Sequence, residues 1–296
     1  MRESRATGSP KHRESMTFVS TLSQPLTALA EIFGQAFESY LVPISSDPLL
    51  LAARVRQEQI DLAASLVIRE PNDELTGIAL IARRGDTSRL AGMGVAARWR
   101  GQGRGQALVA HVLQEARTRK DQRMVLEVIE QNTPAVRLYE KSGFVISRRL
   151  VGYEASRIEP ERAELEEVSI AEYAASVSTH GEPDLPWQLT AATCGAATLP
   201  SVAIRSGEAI ALLVVTADTV IVRGIVVASS CRRQGHARRL LRGLAARFPD
   251  RRWVVPAIVP ESLAAEFFLS NGFRRAAISQ FEMAHRLHGA PAPPPG

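Results

Sequence analysis

Two cysteines in 296 residues, Cys194 and Cys231, exclude a disulfide framework. Neither sits in a CxxC or histidine-rich cluster, so no metal site is expected and the chain reads as one for a reducing, cytoplasmic setting. Long apolar runs are missing too. The best stretch, Ala209–Val222, is interrupted by Thr216 and Asp218 and falls short of the roughly 18 residues a membrane helix needs. The opening segment, MRESRATGSPKHRES, has charge but no apolar centre and does not read as a secretory signal. Aromatic residues make up only 5% and do not interleave with the basic ones, which argues against single-strand nucleic-acid stacking. A large excess of one charge is also lacking: residues 1–159 hold 22 Lys+Arg against 18 Asp+Glu, and residues 160–296 hold 14 against 13. The net charge of +5 is therefore mild and spread out, and nucleic acid is not expected as a partner.

What is present is an ordinary globular composition, 45% hydrophobic and 23% charged, long enough for two domains. Residues 1–15 and the proline-rich tail 288–296 read as disordered. Between them, Thr17–Leu22 reads as a strand, and Leu26–Phe37 and Pro48–Ile60 as helices. Three strands follow at Ala63–Ile68, Gly77–Ala82 and Arg89–Val95, separated by hairpin-type turns. A helix to about Arg119, a strand Met124–Ile129, a helix Thr133–Ser142 and a strand Phe144–Tyr153 complete an α/β (α+β) unit. Pro160–Glu167 is charged enough to be a linker. Beyond it come strands Ser201–Arg205, Ala209–Val215 and Thr219–Val227, a helix to about Phe248, a strand Trp253–Ile258, a helix Glu261–Ser270 and a strand from Phe273.

The two halves repeat one order. Gly103 corresponds to Gly235 at an offset of 132, and Ser142–Phe144 to Asn271–Phe273 at an offset of 129. A tandem duplication follows, with units at residues 16–158 and 159–287.

The most informative stretch is Val95–Gln106, where a strand runs through a turn with glycines at 101, 103 and 105 into a helix. Glycines let a backbone approach a phosphate closely, and the unpaired amides of a helix's first turn point at it. Arginines at 98, 100 and 104, and at 232, 233, 238, 239 and 242 in the second half, suit a small polyanion at both turns.

Arg100-Gly101-Gln102-Gly103-Arg104-Gly105 fits the R/Q-x-x-G-x-G/A signature of the GCN5-related N-acetyltransferases (GNAT), and Asn132–Phe144 is similar to that family's second motif. Residues 90–145 carry the resemblance closely, and Arg232-x-x-Gly235-x-Ala237 satisfies the first signature again. The resemblance implies two tandem folds, each a mixed, largely antiparallel sheet flanked by helices. It implies acetyl-CoA in a cleft between two splayed strands, its pyrophosphate on the amides of Arg100, Gly101, Gln102, Gly103, Arg104, Gly105 and Gln106. Backbone groups of Met93, Gly94 and Val95 would pair with the pantetheine arm, and Asn132 would bond it or simply cap a helix. Tyr139 would be the general acid that protonates the departing thiolate. Glu127, twelve positions before it, would be the base that deprotonates the acceptor amine; the alternative is an ordinary strand residue.

In the second half Phe268 stands at the Tyr139 position, Pro256 at that of Glu127 and Glu261 at that of Asn132. That half therefore reads as degenerate, retaining the turn but not the chemistry. The expected activity is an acyltransferase, moving acetyl from acetyl-CoA to a primary amine on a small molecule or peptide N-terminus. A non-catalytic acyl-CoA-binding or assembly protein is the alternative. A tandem chain imitates a homodimer internally, so a monomer is expected.

Overall fold

The computed structural model describes residues 16–38, 41 and 44–288. Of the two segments read as disordered, residues 1–15 and 289–296 lie outside them, and His288 is described. The first half runs β1 (Thr17–Ser20), α1 (Leu26–Ala36), α2 (Pro48–Glu58), β2 (Leu66–Arg69), β3 (Leu75–Arg84), β4 (Thr87–Val95), α3 (Arg104–Thr118), β5 (Arg123–Ile129), α4 (Thr133–Lys141) and β6 (Val145–Ala155). The second runs β7 (Glu166–Val168), α5 (Ile170–His180), α6 (Ala191–Gly195), β8 (Ser201–Ser206), β9 (Ala209–Val215), β10 (Thr219–Val227), α7 (His236–Arg247), β11 (Arg252–Pro260), α8 (Ala265–Ser270) and β12 (Arg274–Arg286). Most boundaries fall within three residues of those read from the sequence. Two features differ. The expected linker overlaps β7, which pairs with β8, and α5 and α6 lie between residues 168 and 200, where no element was read from the sequence.

Local chemistry explains the starts. Asp47 accepts from Leu49 N at 2.8 Å ahead of Pro48, and Ser169 Oγ accepts from Glu172 N at 3.1 Å. Both satisfy amides that a helix's first turn leaves open. β3 is apolar almost throughout because helices cover both its faces. Leu66, Ile68, Ala79 and Ile81 face α3, whereas Val67, Ile78, Leu80 and Ala82 face α1 and α2.

All twelve strands form one sheet in the order β1-β2-β3-β4-β5-β12-β6-β11-β10-β9-β8-β7. The order is a palindrome: each strand of one half has its counterpart at the same distance from the centre. At that centre the final strands are exchanged. β6 leaves the first half to pair with β11, and β12 leaves the second to pair with β5, from Gln280 opposite Ile129 to Arg286 opposite Arg123. Each half thus holds the expected mixed sheet flanked by helices, but neither completes it from its own residues.

Candidate active site

The site starts from a parting of strands. β4 and β5 run parallel and paired only from Thr87–Arg123 to Leu90–Leu126. A bulge at Ala91, the residue skipped between Leu90 and Gly92 in the pairing with β3, then turns β4 away. A cavity of about 590 Å³ opens there. Met93, Glu127, Asn132 and Tyr139 all line it. Glu127 comes from the sheet face covered by α1 and α2, Tyr139 from α4 on the other face, and the parted strands let both reach one space.

At the end of β4 stands the glycine turn. Gly101 and Gly103 have φ of +74° and +79°, a backbone that favours glycine, and no atom lies within 4 Å of where a Cβ would be. Gly103 is the N-cap of α3, and among the described residues nothing accepts from the amides of residues 101–106; the first helical bond is Ala107 N to Gly103 O. Those six donors and the positive end of α3 make a cradle for an anion. The surrounding side chains build the turn itself. Gln102 donates to Arg98 O, 3.1 Å, and accepts from Arg104. Arg104 forks onto Glu70 at 2.8 and 3.1 Å and lies over the Trp99 ring. Arg100 donates to Val95 O and Ala36 O, tying β4 to the end of α1. The guanidinium groups of Arg100 and Arg104 are thus engaged by the protein, and their amides remain for a ligand. Gly94 has a packing reason of its own, since a Cβ there would meet Ala36 at 2.9 Å.

Glu127 is buried and gripped by Arg89. Nε of Arg89 reaches both carboxylate oxygens, at 3.2 and 2.8 Å, and Nη2 reaches Oε2 at 2.7 Å. Arg89 also donates to Glu58 at 2.6 Å, and Arg54 joins Glu58 at 3.0 Å. Burial raises the Glu58 carboxyl, but Arg54 and Arg89 outweigh it and hold it below the usual carboxylate range. For Arg89 burial works against the charge, and the two carboxylates more than restore it. Beside Glu127, directly opposite in the ladder, lies Glu282 of β12, forked onto Arg148. Burial pushes the Glu282 carboxyl up, against the pull of Arg148. Asn132 caps α4 through Ala135 N, and Tyr139 is buried with its ring edge-on to Phe144 at 5.8 Å.

Sequence reading did not find Arg89, Glu58 or Arg54. The available signals were a charge inside an apolar strand and an arginine–glutamate pair four residues apart on α2. The cavity walls from the second half, including Val255, Ala257 and Gln280, carried no local signal. Among the described residues there is no cluster of potential metal ligands, and no helix is long and apolar enough to cross a membrane.

The cleft between the parted parallel strands thus has an anion cradle at the end of β4. The sequence model of the Acetyltransferase (GNAT) family matches residues 26–144. The chain spans 93% of its length with a GCN5-related N-acetyltransferase from Sphaerobacter thermophilus (16% identity, 96% of that chain, TM-score 0.67). It does so too with a GCN5-related N-acetyltransferase from Anabaena variabilis (18%, 73% of that chain, TM-score 0.63). A tandem GNAT protein from the clavulanic acid biosynthesis pathway is similar over 93% of this chain and 100% of its own (15%, TM-score 0.63). No curated protein sequence matches significantly. Residues 26–144, in the first half, match the GNAT acetyltransferase family, and the whole chain has the tandem GNAT fold. It is an acyltransferase, and acetyl transfer from acetyl-CoA is the family's reaction.

Proposed function

We propose that the first half transfers the acetyl group to a primary amine, on a small molecule or peptide N-terminus, by direct attack with both substrates bound. The observation that carries this is the single cavity into which Glu127 and Tyr139 arrive from opposite faces of the sheet. The cradle of residues 101–106 fits a pyrophosphate, because its donors are backbone amides without protein acceptors. Met93 on the parted edge of β4 and Asn132 at the start of α4 would hold the pantetheine arm, and acetyl-CoA supplies an activated acyl group. Val95 is a weaker candidate for that contact, because Arg100 already occupies its carbonyl.

The amine arrives as an ammonium and must lose a proton before it can attack. Oε1 of Glu127 carries only the longer, 3.2 Å contact from Arg89 and keeps lone pairs for that proton, directly or through water. Arg89 fixes the carboxylate's orientation. The Tyr139 phenol protonates the leaving thiolate; the ordinary pKa values of phenol and thiol are close enough for transfer across one hydrogen bond. The second half has Phe268 and Pro256 at these two places and takes no part in the proton transfers.

Amine-dependent release of the CoA thiol tests the reading. Tyr139→Phe, which keeps the ring, should lower kcat by roughly 10²–10⁴ with little change in the KM for acetyl-CoA. Unchanged turnover across pH would remove Tyr139 from the reaction. Acetyl-CoA binding with no release for any amine class would favour the acyl-CoA-binding alternative.

A further inference from the structure

The cavity does not end at the first half. On the far side of Glu127 its floor consists of strands from the second half, and these depart from a regular ladder in one place. Gly152 of β6 stands opposite two bulges: residues 256–258 of β11 and residues 276–278 of β12 have no partner in the register on either side of it. The glycine is required there, since a Cβ would lie 2.7 Å from Val255 O and 3.0 Å from Ala257 N. Both bulges line the cavity. Gln280 bridges them by donating to Ala257 O at 2.8 Å, and Gln131 ties Ala277 O to the first half at 3.0 Å. The result is a strip of backbone outside the ladder beside the chamber where the acceptor must lie; the carbonyls of Ala257 and Ala277 are engaged, which leaves the other backbone groups of residues 256–258 and 276–278 for an acceptor.

The chamber is also long. Glu127 and Arg252 both line it, yet they sit three strands apart. Along β6, Arg148 is opposite Glu282, the partner of Glu127, and Ala155 is opposite Trp253, the neighbour of Arg252. At about 4.8 Å per strand and 3.3 Å per residue, the two ends are roughly 25–30 Å apart. At the far end Arg252 and Arg274 share the single carboxylate of Glu154, each at 2.9 Å, which leaves one positive charge over.

On this basis, and resting on the reaction proposed above, we propose that the acceptor is an extended peptide. Its N-terminal amine lies between Glu127 and Tyr139, its chain runs along the bulged backbone of residues 256–258 and 276–278, and its acidic far end meets Arg252. A peptide is the acceptor whose own amides and carbonyls can pair with backbone outside a ladder. A small amine fills only the Glu127 end, and a polyamine meets the wrong charge at Arg252. An extended chain of roughly seven to eight residues covers the distance. The second half, without acid or base of its own, then acts as the specificity element of the first.

The test uses the full chain, acetyl-CoA and alanine–valine peptides of two, four and eight residues, each as C-terminal acid and amide, with spermidine and hexylamine alongside. kcat/KM should rise at least tenfold from dipeptide to octapeptide, and the octapeptide acid should exceed its amide severalfold. Arg252→Met should erase the acid–amide difference. Ala277→Trp, which fills the strip, should erase at least tenfold of the length preference. Turnover of hexylamine or spermidine equal to that of the octapeptide overturns the inference and leaves the reaction standing. Calorimetry with CoA present separates the two claims. Octapeptide binding without transfer removes the reaction and keeps the chamber assignment, and absence of binding removes the chamber assignment.

Discussion

The two halves share a scaffold and differ in what they put on it. Both parallel pairs part within one residue of the same place, β4 from β5 after Leu90–Leu126 and β10 from β11 after Ile221–Val254. The bulge at Ala91 has its counterpart at Arg223. Arg232 donates to the end of α5 as Arg100 does to the end of α1, and Gln234 bonds Ser230 O as Gln102 bonds Arg98 O. Even the left-handed turn is preserved, although Arg233, with φ of +62°, stands where the first half has Gly101. The difference is polar. The first half buries Arg89 and Glu127 beside its cleft, and the second has Ile221 and Pro256 there. Asn132 caps α4, whereas Glu261 turns away to Arg149 and Arg275, and α8 starts only at Ala265. One copy kept the backbone frame, and the other kept the frame and the charges. Buried charge and fold are thus separable within one chain.

The sharpest way to break this comparison is to remove the charge that organises the first cleft. Arg89→Met leaves the Glu127 carboxylate buried without its partner and Glu58 with Arg54 alone, and should cost about 3–5 kcal/mol. Thermal melting should fall by roughly 10 °C. Ile221→Val at the matching position deletes one methylene and should cost about 1 kcal/mol. Equal losses would mean that the buried pair has no special weight. A smaller effect separates the turns. Gly103→Ala forces a Cβ onto φ of +79°, a strain of about 1–2 kcal/mol, and should raise the KM for acetyl-CoA roughly tenfold. Gly235→Ala, at φ of +87°, should leave that KM unchanged, because the second turn serves no bound donor in this reading. An equal rise from Gly235→Ala would show that the second half also holds acetyl-CoA.

These contrasts also mark where sequence was informative. Helices and strands were legible because apolar spacing and turn residues are local, and the duplication because two landmarks recur at nearly one offset. The turn at 100–106 and the Asn132–Phe144 stretch were legible for the same reason: their geometry is set by neighbours in the chain. What escaped is set by distant residues. Arg104 and Arg100 looked like ligands for phosphate, yet Glu70, more than thirty residues before Arg104, and the end of α1 engage them. Strand exchange left no trace because β6 and β12 have the same pattern wherever they pair. With it went the far wall of the chamber, so only the first half's side of the cavity could be read.

The smallest effect is on pH, and it divides the buried carboxylates by sign. Glu58 has a folded-state pKa below the ordinary 4.5: burial raises it, and Arg54 and Arg89 lower it further. Its contribution to stability is complete above pH 4.5 and is lost as the pH falls toward the folded value. Asp121 behaves alike below its ordinary 3.8, with burial opposed by the bonds from Ser88 and Arg83. Glu282 works in the opposite sense. Burial raises it, so its contribution is complete below pH 4.5 and is lost as the pH rises through the folded value. Lowering the pH from 7 to 3.5 therefore erodes the Glu58 contribution and begins to erode that of Asp121, while Glu282 restores part of the loss. A difference of about 1 kcal/mol moves melting by roughly 2–3 °C in a chain of this size. Glu58→Gln should make the drop between these two pH values shallower by about that amount, and Glu282→Gln should make it steeper. The same direction for both variants would show that the charges of the two halves act together across the exchanged strand rather than separately.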